Sequence, residues 1–215
     1  MTARALTLPT FFLAGVPKAG TTSLYAYLRQ HPQIYMCWPK EPTFFGATDV
    51  LADPSAAPVA AESRKEVAEV QPHWRGSETP ESRWVVVKGQ DVPDRRWVVT
   101  NWSDYLELFR YRQDEAAIGD ASVDHFWLPS AAPAIHATVP DARLLFVLRN
   151  PADRLFAEYA ATLWSERRQR TFRNAFLEGL EGRDPWKWPR VLVGRYATHL
   201  ARFSNLFPQR QICVL

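Results

Sequence analysis

Short apolar runs alternate with segments of helical periodicity along most of the chain. Residues 11–15 are uniformly apolar and end at a glycine, as a buried parallel strand does. Residues 22–30 have helical periodicity and end before His31-Pro32. The strongest strand signal is residues 143–148, an apolar run bounded by charges, and Pro151 then occupies the first turn of a helix expected to reach Trp164. These patterns predict strands and helices in alternation.

Weaker patterns extend this alternation to the rest of the sequence. They predict strands at residues 34–37, 118–122 and 212–215, and helices at residues 102–111 (with Ser103 near its start), 130–138, 172–180 and 195–207. Strands that alternate with helices indicate a parallel sheet built with crossover connections. We therefore expect one α/β domain over residues 1–215, a three-layer fold with a central parallel sheet flanked by helices.

Residues 48–100 differ in composition from the rest of the chain. Four prolines between residues 48 and 80, together with many alanines and scattered charges, predict that residues 48–100 form a surface excursion or a lid. Within this region, residues 83–88 and 96–100 are predicted to form a strand pair with a turn near Pro93. The sequence leaves open whether this pair joins the main sheet.

Composition narrows the range of functions. The chain has 215 residues, 47% hydrophobic and 23% charged, which is typical of one globular domain. A net charge of +3 without a long basic run does not favour a nucleic-acid partner. No apolar run reaches the roughly 18 residues of a membrane span. Cys37 and Cys213 have neither CxxC spacing nor histidine partners, and no cluster predicts a metal site.

The N-terminal residues flow directly into a segment that favours phosphate binding. Removing them as a signal peptide would remove that segment, so we expect an uncleaved, cytoplasmic protein. Residues 15–23 read Gly-Val-Pro-Lys-Ala-Gly-Thr-Thr-Ser and lie between a predicted strand and a predicted helix. Backbone N–H groups at such a helix start favour an anion. Gly15 and Gly20 allow a tight turn, Lys18 supplies a cation, and hydroxyl donors follow at Thr21, Thr22 and Ser23.

The position of Lys18 distinguishes this loop from that of nucleotide triphosphatases. A Walker A loop has its lysine directly after the second glycine, whereas Lys18 precedes Gly20 by two residues and Thr21 occupies the Walker position. This displacement argues against an ATPase, a GTPase or a small kinase of that class. The alternative is that residues 15–23 bind no ligand and form an ordinary strand–turn–helix junction.

Three motifs in order resemble the sulfotransferase family. FFLAGVPKAGTTSLYAYLRQHPQI resembles its 5′-phosphosulfate loop, and Lys40-Glu41-Pro42-Thr-Phe-Phe is similar to a segment of its carbohydrate-modifying and bacterial branch. Residues 144–159 resemble its 3′-phosphate motif, Arg-x-Pro-x-x-Arg-x-x-Ser-x-Tyr, with matches at Arg149, Pro151, Arg154 and Tyr159. The resemblance implies a P-loop-like fold and use of 3′-phosphoadenosine 5′-phosphosulfate (PAPS) as co-substrate, without a metal.

The resemblance also implies roles for individual residues. Lys18 would be the catalytic cation, Glu41 the general base and Lys40 a further group of the cleft, although Lys40 and Glu41 could instead form an exposed charge pair. His125, placed 24 residues before Arg149, is the rival base. Arg149 would bind the 3′-phosphate, and Ala157 replaces the family serine, so that one hydroxyl is missing. The other cofactor-binding residues would be Pro17, Ala19, Gly20, Thr21, Thr22 and Ser23.

Further correspondences are looser. Asp120 and Ser122 resemble an acidic-x-Ser segment whose middle lysine in some members is Ala121 here, and Tyr196 occurs where the family often has a tyrosine near the active site. The resemblance implies that further C-terminal segments would follow, so this chain is either a fragment or a shortened member. The acceptor would be a hydroxyl or amine, with a carbohydrate favoured, and Trp38, Trp102 and Trp127 are candidates to stack on sugars or to pack in the core. The alternative function is a non-catalytic module that binds adenosine 3′,5′-bisphosphate.

Overall fold

The computed structural model describes residues 8–38, 40–52, 85–87, 96–166, 171–181 and 190–215. Its strands are β1 (Phe11–Gly15), β2 (Ile34–Met36), β3 (Val85–Val87), β4 (Arg96–Val98), β5 (Ala117–Ala121), β6 (Arg143–Val147) and β7 (Ile212–Val214). Five of them form a sheet in the order β2-β5-β1-β6-β7, and every neighbouring pair in it is parallel. The α/β fold with a central parallel sheet is confirmed.

Helices connect the strands and flank the sheet. They are α1 (Thr21–Leu28), α2 (Ala47–Ala52), α3 (Trp102–Glu107), α4 (Ala131–Thr138), α5 (Pro151–Glu166), α6 (Phe172–Leu180), α7 (Arg190–Val193) and α8 (Tyr196–Ser204). Short 3-10 turns lie at Phe44–Gly46, Val123–Phe126 and Gln209–Gln211. Within the described ranges, no helix is long and apolar enough to cross a membrane.

The predicted strand pair exists as a separate unit. β3 and β4 pair antiparallel, with Val86 opposite Trp97, and form a two-stranded sheet of their own. The end of β4 contacts the rest of the fold, because the Val99 N–H donates to the Pro42 carbonyl at 2.9 Å. Most of the expected lid at residues 48–100 lies outside the described residues.

The core lies on both faces of the sheet because β1 is apolar at every position. Phe12 and Ala14 face a large cluster that includes Ile135 of α4 and Phe203 of α8, whereas Leu13 faces a second cluster that includes Tyr25 of α1. A central strand buried on both faces reads as a continuous apolar run, which is the pattern that marked β1 in the sequence.

The carboxyl ends of β1, β5 and β6 meet at one edge of the sheet because these three neighbours are parallel. Gly15 ends β1 opposite Val147 of β6, with φ 141°. A Cβ atom at Gly15 would lie 2.3 Å from the Val147 carbonyl oxygen, so only glycine fits there. The loops that follow the three strands therefore start close together.

Most predicted boundaries agree with the structure within two residues, and two details differ. The helix expected at residues 102–111 ends at Glu107, and the Asn101 side chain caps its start by accepting a hydrogen bond from the Asp104 N–H. The helix expected at residues 195–207 spans Tyr196–Ser204.

Candidate functional site

The loop between β1 and α1 leaves the start of α1 open. Lys18 and Gly20 both have positive φ, 66° and 95°, which turns the chain sharply into the helix. The N-cap residue is Gly20, which has no side chain to cap α1. The N–H groups of a first helical turn have no intrahelical acceptor, so this end of α1 can bind an anion.

The side chains around this turn differ in exposure. Lys18, Thr22 and Ser23 are exposed, whereas Thr21 is buried and Pro17 and Ala19 are half-buried. The ammonium of Lys18 and two hydroxyls are therefore accessible beside the open N–H groups. Thr21 contributes its backbone at this place, while its side chain lies in the fold.

Arg149 follows β6 and contacts the same loop. Its Nη1 donates to the carbonyl oxygen of Lys18 at 3.1 Å. The Tyr196 hydroxyl, at the start of α8, donates to the carbonyl oxygen of Arg149 at 2.9 Å. Burial raises the pKa of Tyr196, and the neighbouring Arg154 guanidinium opposes that effect. Arg149 is itself exposed, so the remaining guanidinium donors face solvent.

Arg154 points into the fold instead. Its side chain is 1% exposed and forms an ion pair with Glu158, one helical turn along α5. This pair joins two successive turns of α5. Ala157 is half-buried on the same helix, and Tyr159 packs edge-on against Phe172 with ring centroids 5.3 Å apart.

The Lys-Glu-Pro segment, residues 40–45, lies against the end of β5. The Glu41 N–H donates to the Ala121 carbonyl at 2.7 Å, and Lys40 forms an ion pair with the Glu41 carboxylate. The Glu41 side chain is 41% exposed and that of Lys40 is 13% exposed, so the carboxylate remains accessible. Glu41 and Thr43 have φ values of 66° and 52°. Such conformations cost on the order of 1–3 kcal/mol each and need support from their surroundings.

A buried hydrogen-bonded group supplies support next to this segment. The Thr43 N–H donates to Ser122 Oγ at 3.1 Å, and Ser122 Oγ donates to Asp120 Oδ1 at 2.8 Å. The Tyr105 hydroxyl donates to Asp120 Oδ2, also at 2.8 Å. Sequence reasoning identified Asp120 and Ser122 but missed Tyr105, whose part depends on how α3 packs against β5.

His125 lies behind the Lys-Glu-Pro segment. It is fully buried, and its ring meets the rings of Phe12 and Phe45 edge-on, at centroid distances of 6.0 and 5.8 Å. Neither ring nitrogen has a hydrogen-bond partner among the described residues. Burial lowers the pKa of His125, and the carboxylates of Asp120 and Glu41 act in the opposite direction.

The structure thus brings together three segments that are far apart in sequence. Lys18 and Arg149 are joined directly, and Glu41 is attached to the end of β5, the strand beside β1. Within the part of the chain that the structure describes, no group of three or more His, Cys, Asp or Glu residues could hold a metal ion. The residues present are suited to a polyanionic ligand: open backbone N–H groups, a lysine, an arginine fork and hydroxyls.

Known proteins are similar to this chain in sequence. Carbohydrate sulfotransferase 15 from Homo sapiens is 24% identical over 233 residues, which cover 97% of this chain and 40% of that protein. Heparan sulfate glucosamine 3-O-sulfotransferase 6 from Homo sapiens is 39% identical over 85 residues, 39% of this chain and 25% of that protein. The chain thus spans less than half the length of these curated relatives.

A solved structure is similar over almost the whole chain. The crystal structure of a sulfotransferase from Alicyclobacillus acidocaldarius matches with a TM-score of 0.71 and 28% identity, over 97% of this chain and 73% of that one. A model of the sulfotransferase family matches residues 9–215. The family match includes all three segments that meet at the carboxyl edge of the sheet, and this chain belongs to the sulfotransferase family.

Proposed function

We propose that this protein transfers a sulfuryl group from PAPS to a hydroxyl or amine of a carbohydrate-like acceptor. One observation supports the proposal above all: the β1–α1 loop, the Lys-Glu-Pro segment and Arg149 meet at the carboxyl ends of three adjacent parallel strands. In open α/β sheets, ligands bind at this edge.

The β1–α1 loop would hold the 5′-phosphosulfate. The N–H groups at the start of α1 and the hydroxyls of Thr22 and Ser23 would donate to its oxygens. During transfer, the acceptor atom forms a bond to sulfur while the bond from sulfur to the bridging oxygen breaks. The electron pair of that bond stays on the phosphate oxygen, and the ammonium of Lys18 would stabilise the growing negative charge.

Arg149 would bind the 3′-phosphate with the guanidinium donors that Lys18 does not engage. Its contact with the Lys18 carbonyl keeps it beside the loop that would hold the other phosphate. A guanidinium fork matches phosphate oxygens in geometry and charge. Ala157 cannot add a hydroxyl donor, so Arg149 would carry more of this interaction than it does where serine is present.

Glu41 would accept the proton that the acceptor loses. A general base must reach the acceptor within hydrogen-bond distance, and the Glu41 side chain is 41% exposed at the sheet edge. His125 is fully buried between aromatic rings, which argues against it as the base. Lys40, paired with Glu41, would complete the cleft.

The names of the relatives favour a carbohydrate acceptor, and one exposed aromatic ring suits it. Trp102 is 42% exposed and lies 5.6 Å, centroid to centroid, from Phe44 of the Lys-Glu-Pro segment. An indole face at this position could stack on a sugar ring close to Glu41.

The test combines binding with turnover. Titration calorimetry with adenosine 3′,5′-bisphosphate should show binding in the micromolar range or tighter. Incubation with PAPS and desulfated heparan sulfate should release adenosine 3′,5′-bisphosphate at a rate that Glu41→Gln lowers about 100- to 10,000-fold, the usual contribution of a general base. Folded protein that fails to bind the bisphosphate would refute the proposal.

The alternative is a module that binds the nucleotide without transferring sulfate. Ala157 favours it, because a donor to the 3′-phosphate is missing. Binding of adenosine 3′,5′-bisphosphate without measurable release from PAPS, in the wild type and in Glu41→Gln alike, would favour this alternative.

A further inference from the structure

The backbone of the Lys-Glu-Pro segment is held in an unusual shape without glycine. Glu41 and Thr43 both have left-handed φ values, and a β-branched threonine at φ 52° is a rare case. Residues in such conformations persist only when neighbouring groups fix them. Two contacts do so here: the Glu41 N–H donates to the Ala121 carbonyl, and the Thr43 N–H donates to Ser122 Oγ.

The second contact depends on the direction in which the Ser122 hydroxyl points. A serine hydroxyl has a single hydrogen, and Ser122 donates it to Asp120 Oδ1 at 2.8 Å. Its lone pairs are therefore turned toward the Thr43 N–H. The other carboxylate oxygen of Asp120 accepts from the Tyr105 hydroxyl at 2.8 Å. Each carboxyl oxygen of Asp120 thus accepts one hydroxyl, so Asp120 orients both hydroxyls.

The surroundings of these three side chains strengthen the arrangement. Asp120, Ser122 and Tyr105 are each 0% exposed, and no lysine or arginine in the described ranges forms an ion pair with Asp120. Hydrogen bonds in such a low-dielectric interior are stronger than in water. The Tyr105 ring stacks on Phe44 at 4.4 Å and meets Phe45 edge-on at 5.3 Å. The same group thus contacts three consecutive residues of the Lys-Glu-Pro segment, Thr43, Phe44 and Phe45.

We propose that Ser122, oriented by Asp120 and Tyr105, is a positioning residue for Glu41. It does not touch the reacting atoms; it holds the backbone on which the Glu41 carboxylate is presented to the acceptor. The proposal rests on the proposed function, because it takes Glu41 as the proton acceptor. A displacement of about 1 Å in a reacting group can cost about 100-fold in rate, which is the scale of effect expected here.

The first test measures how well the hydrogen bond to Ser122 protects the Thr43 amide, and it needs no sulfate acceptor. In Ser122→Ala, the Thr43 amide should exchange with deuterated water at least tenfold faster by NMR, and in Tyr105→Phe it should exchange severalfold faster. Tyr35→Phe is the matched control, since the Tyr35 hydroxyl donates to the Leu108 carbonyl outside this group, at 2.7 Å. Exchange of the Thr43 amide that is the same in all three variants and the wild type would overturn the proposal.

The second test asks whether the contact between Ser122 and Thr43 affects the transfer rate through Glu41. Release of adenosine 3′,5′-bisphosphate from PAPS, with desulfated heparan sulfate or water as acceptor, should fall about 10- to 100-fold in kcat for Ser122→Ala. The Kd for the bisphosphate should change less than twofold. In a Glu41→Gln background, Ser122→Ala should lower the rate no further, because the group it positions is already gone.

The outcomes separate the two proposals. If Glu41→Gln lowers the rate and Ser122→Ala does not, the positioning role is wrong and the proposed function stands. If Ser122→Ala lowers the rate equally in both backgrounds, it acts on the fold and not through Glu41, and the positioning role is again wrong. If Glu41→Gln has no effect on a folded, nucleotide-binding protein, the base assignment fails first. Should Ser122→Ala not fold, Tyr105→Phe carries both measurements.

Discussion

The guanidinium of Arg149 donates a hydrogen bond to the backbone carbonyl of Lys18, 3.1 Å away and 131 residues earlier in the chain. This contact joins the two segments of the site that carry an accessible positive charge. It also fixes where the Lys18 backbone turns, since Lys18 has a positive φ of 66°. Changes at Arg149 should therefore affect the ligand and the loop together.

Arg149→Ala should weaken the binding of adenosine 3′,5′-bisphosphate about 10- to 150-fold, because a hydrogen bond to a charged group contributes about 1.5–3 kcal/mol. Arg143→Ala is the matched control: Arg143 begins the same strand at the opposite edge of the sheet and is also exposed. Its Kd should change less than twofold by calorimetry. Equal losses in the two variants would indicate a general charge effect.

Gly15→Ala should lower the free energy of unfolding more than Gly20→Ala does. A Cβ atom at Gly15 meets the Val147 carbonyl oxygen at 2.3 Å, whereas one at Gly20 meets no heavy atom within 4 Å. Both glycines have positive φ, so only Gly15→Ala adds a steric clash to the backbone strain. The expected costs are about 3 kcal/mol and about 1 kcal/mol, measured as the free energy of unfolding in urea. Indistinguishable values would contradict the close approach of β1 and β6.

His125→Leu should leave the protein as stable as the wild type, or more stable, at pH 7.5. The ring nitrogens of His125 have no partner in the described part of the chain, so an apolar side chain of similar size forfeits no hydrogen bond. Burial holds the pKa of His125 below its ordinary value. Below about pH 6.5 the unfolded chain then binds the proton more readily, and the free energy of unfolding falls as the pH falls, by at most about 1.4 kcal/mol per pH unit for one group.

The free energy of unfolding measured at pH 5 as well as at pH 7.5 tests whether His125 makes the protein less stable in acid. His125→Leu should lose less stability between pH 7.5 and pH 5 than the wild type does. Burial also lowers the pKa of His199, so part of the acid sensitivity should remain. His31→Leu, at an exposed histidine, is the control substitution. A pH dependence unchanged by His125→Leu would argue against a buried, neutral ring.

Ala157→Ser should tighten the binding of adenosine 3′,5′-bisphosphate about 2- to 12-fold. It restores the hydroxyl that the related motif has at this position, and one hydrogen bond contributes about 0.5–1.5 kcal/mol net. Ala160→Ser, one turn farther along α5, is the control and should leave the Kd unchanged. Calorimetry of the two variants side by side checks the prediction, and an effect of the same size in both would speak against a specific contact.

The sequence was sufficient to predict the parallel sheet. The strand at residues 143–148 is apolar from Leu144 onward because that part packs on both faces, and the pattern needs no tertiary information to be seen. The helix expected at residues 102–111 was too long for a physical reason. Its apolar pattern continues through Leu108 and Phe109, but their N–H groups bond to carbonyls only three residues back, in tight turns.

The geometry around Glu41 could not be predicted in the same way. Glu41 and Thr43 have positive φ although neither is a glycine, so the sequence gives no sign of this conformation. It depends on two hydrogen-bond acceptors some 80 residues later, the Ala121 carbonyl and Ser122 Oγ. The hydrogen bond from Tyr105 to Asp120 depends on how α3 packs against β5, and no local sequence pattern encodes that packing. Whether the pair of β3 and β4 joins the main sheet also depended on tertiary contacts, and the structure keeps it separate.

Strand β1 precedes the other described strands in sequence and yet lies at the centre of the five-stranded sheet. Phe11 pairs with Gly119 on one side and with Arg143 on the other. Pairings at such long separation make folding slow, because the entropy of closing the loop is lost before the contacts form. During synthesis, the turn at Lys18 leaves the ribosome before β6 and Arg149, so its contacts with them can form only after they have emerged. Affinity of the nascent chain for nucleotide should therefore arise only after Arg149 has emerged.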